Sequence, residues 1–160
     1  MTLPKRSTLA AVALVGIVLL AVRARNSRPR ILVLHSFREE ATWVRGVDEG
    51  LRAVLAGNRR PVTVAWHFMG LDRDVGGDRT RIAVADARRE IAIFDPDLLI
   101  AVDDESNELV ARDQAGRSRP RVVYVSIDRT PASYGYADAA HVTGVAEDLP
   151  LDGVRDAILA

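Results

Sequence analysis

Short, nearly continuous apolar runs alternate along this chain with longer segments in which apolar residues recur every three or four positions. The run Ile31 to His35 (ILVLH) predicts a strand buried on both faces. Past a polar loop from Ser36 to Thr42, Val44, Val47, Leu51, Val54 and Leu55 keep helical spacing, with Thr42 the expected N-cap and Gly57 the stop. Pro61 opens a second strand, Val62 to Met69, in which both alternating sets are apolar enough to bury. A loop over 72–78 leads to a helix from Thr80 to Phe94, ended by Asp95-Pro96. Leu98 to Val102 is the third strand. The acidic triplet Asp103-Asp104-Glu105 follows, then a short helix to about Gln114 and a polar turn to Pro120. Val122 to Ser126 and His141 to Val145 are the fourth and fifth strands, and Leu151 to Leu159 is the last helix.

Alternating strands and helices, with β-branched strands, predict right-handed βαβ units. The expected fold is α/β: a three-layer parallel sheet of order 2-1-3-4-5. In that topology ligands sit beyond the carboxyl ends of the strands, where strands one and three diverge. Here that rim is Ser36-Phe37 after the first strand and Asp103-Asp104-Glu105 after the third.

Leu9 to Val22 has no charge and follows Lys5 and Arg6. Residues 1–24 therefore read as a signal peptide or membrane anchor, residues 25–30 as a linker, and 31–160 as one α/β lobe. Fourteen apolar residues are short for a full span unless Ser7 and Thr8 are drawn in, and residues 8–22 are the segment that would anchor the chain. Arginines after the run oppose export, so flank charge leaves two orientations open: an extracytoplasmic domain, and a cytoplasmic domain on an outward-facing anchor.

Overall charge is zero, but residues 1–30 hold six bases and no acid, leaving 16 bases against all 22 acids in the body. A body near −6 argues against nucleic acid as a partner. Cysteine is absent, which removes disulfides, thiolate metal sites and a cysteine nucleophile. Lys5 is the only lysine, so the body has no P-loop or Schiff-base lysine, and no G-x-G-x-x-G follows the first strand. His35 beside Ser36 suggests a base and a nucleophile, yet neighbours in a strand point to opposite faces. A strand-end histidine bonded to backbone is the favoured reading. Asp103, Asp104 and Glu105 have the oxygen chemistry for Mg²⁺ or Ca²⁺, but such a run more often caps the next helix. Trp43 reads equally as a ligand-stacking ring and as core. No cofactor is implied.

Several segments carry a family resemblance. Ile31 to Trp43 (ILVLHSFREEATW), Asp97 to Asp104 (DLLIAVDD), Val122 to Asp128 (VVYVSID) and Val142 to Val145 (VTGV) are similar, in that order, to segments of tryptophan/tyrosine-type substrate-binding proteins of ABC transporters. The same module serves as the extracytoplasmic sensor of some histidine kinases. The resemblance covers nearly all of 31–150 and corresponds to the N-terminal lobe only. It implies a type I periplasmic-binding lobe, outside the membrane, that holds a small organic ligand without chemistry. An ABC permease or a sensor kinase is then the partner, with a homodimer or a separate second lobe completing the cleft. By position, Ser36, Phe37, Trp43, Asp103, Asp104, Ser126, Asp128 and Glu147 would face the ligand. The alternatives are a tethered sensor or interaction lobe, and a small α/β hydrolase built on Ser36 or Asp103. The rim is rich in carboxylates, which suit cationic or hydroxyl groups, while Ser and backbone donors suit anions.

Overall fold

The computed structural model describes residues 15–17, 28–71 and 77–147. Most of the apolar N-terminal run, most of the linker, the 72–76 part of the first long loop and the expected last helix lie outside them. No helix among the described residues is long and apolar enough to cross a membrane.

Five strands form one all-parallel sheet in the order β2-β1-β3-β4-β5. They are β1 (Arg30–His35), β2 (Thr63–Phe68), β3 (Leu98–Val102), β4 (Arg121–Ile127) and β5 (Val142–Ala146). Pairing is in register from Ile31–Leu98 to His35–Val102, and from Leu98–Arg121 to Val102–Val125. The loops leaving β1, β3 and β4 therefore emerge at one level. β1 and β3 are the buried centre of the sheet, as their unbroken apolar runs demand. β2 is an edge strand and only half-buried, so the expectation that both of its faces bury is corrected.

Alternation along each strand divides the core in two. Leu32, Leu34, Leu99, Ala101 and Val122 pack on one side with Ala87 and Ile91 of α2 (Asp78–Phe94). Ile31, Val33, Ile100 and Val102 face the other side, against Val47, Leu51 and Leu55 of α1 (Thr42–Ala56). Helices thus cover both faces. Truncating a fully buried leucine such as Leu32 or Leu99 to alanine costs about 2–5 kcal/mol in such a setting.

Element ends refine the sequence reading. The N-cap of α1 is Ala41, not Thr42; it is extended, and its carbonyl accepts the first helical hydrogen bond, from Arg45 N–H at 3.1 Å. α2 ends on Asp95 in the left-handed region (φ 46°), whose N–H returns to Ile91 O. The segment after β3 splits into α3 (Asp104–Leu109) and a 3-10 turn, Ala111–Gln114. Gly144 is required by close approach, because a methyl there would overlap the carbonyl oxygen and ring of Tyr124 on β4. That contact seats β5 against β4 and brings Glu147 to the carboxyl edge.

Candidate functional site

A depression of about 440 Å³ opens at the carboxyl edge of the sheet, lined by Phe37, Trp43, Asp103, Asp104, Glu105, Ser126, Asp128 and Glu147. Seven of the eight residues singled out from the sequence are in that lining. Glu105 is the addition, and its place in the acidic triplet right after β3 is the signal for it. Ser36 is the exception: it is buried beneath the rim and acts on backbone. Its Oγ donates to Val102 O (3.1 Å) and accepts from Ser106 N–H (2.8 Å), tying the end of β1 to the start of α3.

The aromatic wall comes from the loop after β1 and the first turn of α1. Phe37 and Trp43 meet edge to face with centroids 5.7 Å apart. Trp43 is 41% exposed, so the core alternative for this ring is excluded.

The acidic wall begins at Asp103, whose backbone lies at φ 83°, ψ 166°. This region is close to glycine-only and costs on the order of 1–3 kcal/mol, so it persists only where the surroundings enforce it. They do. Its N–H donates to Val125 O at 2.8 Å, its carbonyl oxygen accepts from Asn107 Nδ2 at 2.7 Å, and its Oδ1 caps α3 through Asp104 N–H at 3.1 Å. Asn107 is held in turn by Tyr136, whose hydroxyl donates to Asn107 Oδ1 at 3.0 Å. The other carboxylate oxygen of Asp103, Oδ2, is buried without a hydrogen-bond partner. Burial, and then the neighbouring charges of Glu105, Asp104 and Asp128, outweigh the hydrogen bond from Asp104 N–H and push the Asp103 carboxyl up to about 7.

Ser126 is the second strained residue of the lining, at φ 55°. It sits where the β4–β5 register slips by one position, between Val125 and Ile127. Such bulges re-aim side chains at the margins of sheets.

Asp104 differs from its neighbours in being fully engaged. It accepts from the Tyr134 hydroxyl and from Asp128 N–H (3.0 Å), and Arg129 Nε lies 3.6 Å from its Oδ2. Burial, then this carboxylate, raises the Tyr134 hydroxyl to about 12 and keeps it a donor. Arg129 also pairs with Glu108, which raises its own pKa. None of these supporting residues carries a sequence signal, since their roles depend on a 3-10 turn at Pro131–Tyr134.

His35 lies under the same edge and is fully buried. The expected backbone bond is absent: neither ring nitrogen has a hydrogen-bond partner, and the ring stacks on Phe68 at 4.9 Å. Burial holds its pKa down at about 4 despite Asp48, whose Oδ1 is 3.7 Å from Nε2 and whose other oxygen pairs with Arg52 at 2.6 Å. Stacking is unreadable from sequence because it depends on Phe68 being the register partner of His35.

Among the described residues, no three histidine or acidic groups are placed to hold a metal ion. A larger hollow of about 530 Å³ lies at the other end of β4 and β5, around Leu98, Arg121 and His141. It has no strained residue and no acid in its lining. The carboxyl-edge depression is therefore the stronger candidate. The sequence matches no protein-family model, and no curated protein is significantly similar to it.

Proposed function

We propose that this chain is an extracytoplasmic solute-binding lobe, of the type I periplasmic-binding kind, that presents a small organic ligand to an ABC-type permease or to a sensor kinase. One observation carries the reading. Residues from four separate segments, after β1, β3, β4 and β5, gather in a single concavity of a size suited to small molecules. Backbone strain concentrated at Asp103 and Ser126 adds support, since such conformations cluster at ligand clamps. The strand order and the four family-like segments agree with it. Carboxylates and aromatic rings line the concavity, a composition suited to gripping a small organic ligand.

The test is thermal unfolding of the full chain, kept in mild detergent, against amino acids, purines, sugars, small anions and organic amines. A binder at a hundred times its Kd stabilises by about 2.7 kcal/mol. The reading expects such a shift, and expects Trp43→Ala to remove it. A folded protein unmoved by every solute, or a shift indifferent to Trp43→Ala, would refute it. An alkaline phosphatase fusion at the C-terminus should be active if the lobe lies outside the membrane; an inactive fusion puts it inside.

A further inference from the structure

Resting on that reading of the site, we infer that its ligand is an organic cation, with an ammonium-type nitrogen held between the Phe37–Trp43 ring pair and the carboxylates of Asp103, Asp128 and Glu147. Three features of the lining converge on this. First, no arginine, lysine or histidine among the described residues lines the depression. The neighbouring guanidinium, Arg129, is committed to Asp104 and Glu108. An anionic ligand would face carboxylates with no counter-charge to offset them.

Second, the acids are not consumed by the fold. Asp104 is satisfied by Tyr134, Arg129 and Asp128 N–H, whereas the carboxylates of Glu105, Asp128 and Glu147 have no hydrogen bond or ion pair among the described residues. Asp103 retains one oxygen without a partner. Mutual repulsion of these groups is relieved when a cation enters, so binding gains from charge already assembled.

Third, the wall that carries no charge is aromatic. Trp43 is far more exposed than an indole in a packed core, and its edge-to-face contact with Phe37 fixes both rings at the rim. Aromatic faces attract cations through their quadrupole, most strongly for tryptophan, and an acid on the opposite side adds to that attraction. A neutral sugar would use the rings and some of the oxygens. Only a cation uses the rings and the uncompensated charge together.

Choline and putrescine against two controls, 3,3-dimethylbutanol (the uncharged isostere of choline) and acetate, decide the matter by calorimetry on the full chain. At least one cation is expected to bind, with the neutral isostere about tenfold or more weaker and acetate inactive. Affinity for the cation should fall about tenfold in Trp43→Ala and in Asp128→Asn, and should weaken as NaCl rises. Tighter binding of a neutral or anionic solute, still lost in Trp43→Ala, overturns the cation and leaves the site standing. Cation binding unchanged in both variants lies elsewhere and overturns this inference. Should no solute of any class bind, the site itself falls, and the inference with it.

Discussion

Aspartates crowd both ends of the parallel sheet, and the two ends treat them in opposite ways. At the amino edge, Asp97 accepts from Arg30 N–H at 2.9 Å and forms an ion pair with Arg119, whose Nε lies 3.0 Å away. Asp95 pairs with the same guanidinium at 3.2 Å. Its left-handed backbone has an ordinary cause, because it closes α2, and aspartate tolerates that conformation. At the carboxyl edge, Asp103 adopts a conformation suited to glycine, keeps one oxygen without a hydrogen-bond partner, and stands beside Glu105 and Asp128, which have no ion pair among the described residues. Among the described residues, four of the six buried side-chain polar atoms without hydrogen-bond partners, on His35, Asp48 and Asp103, belong to this edge. Identical chemistry is neutralised where it only stabilises and left open where a ligand would enter. A fold gains nothing from the second arrangement by itself.

The largest effect that sharpens the contrast comes from His35. Its pKa is about 4 in the folded chain against 6.5 for the ordinary imidazole of the unfolded chain, so between those values the unfolded chain binds more protons. The contribution of His35 to stability is then fully present above pH 6.5 and declines as pH falls towards 4, by up to about 3 kcal/mol. Asp103 acts in the opposite direction over the same range, so the effect is read as a difference: urea unfolding at pH 4 and pH 7 should show the wild type losing up to about 3 kcal/mol relative to His35→Phe as the pH falls. An equal loss in the variant would assign the acid sensitivity elsewhere.

Next in size is Ser36→Ala. It leaves the buried N–H of Ser106 without its acceptor and should lower the unfolding free energy by about 2 kcal/mol. A neutral outcome in denaturant melts would mean the β1–α3 tie is dispensable. At the amino edge, Arg119→Ala removes exposed pairs worth at most about 1 kcal/mol, and 0.5 M NaCl should erase most of the difference. A larger, salt-independent loss there would break the contrast between the ends.

Much of this arrangement is legible in the order of residues alone. β-branched runs such as Ile31–His35 and Leu98–Val102 are long enough only for strands, and the helices between them dictate parallel pairing, so the common rim follows. Trp43, Asp103, Asp128 and Glu147 gather there for the same reason. Ser36 departs from its expected place because position along the strand says which level a residue reaches but not whether its hydroxyl turns outward or into the backbone. The strain at Asp103 and the network of Tyr134, Arg129 and Asn107 that enforces part of it are tertiary, with no periodicity to announce them. The edge position of β2 hides in sequence too, since its Val, Trp and Phe look as buriable as the apolar residues of β1.

Asp103 tests the account most directly. The folded chain holds its proton up to about pH 7 against 3.8 for the ordinary group, so ionising it costs stability as pH rises between those values. Asp103→Gly removes that cost and the backbone strain, offset in part by glycine's entropy and a weaker cap, for a net gain of about 1 kcal/mol or more at pH 5 and a larger one at pH 8. Melting curves at pH 5 and pH 8, each with and without the cation that binds the wild type, supply the measurement. The variant should melt higher than the wild type, by more at pH 8 than at pH 5, and should no longer respond to the cation. A variant that melts lower at both pH values, or one that binds as tightly as before, contradicts a rim built for a ligand at the expense of the fold.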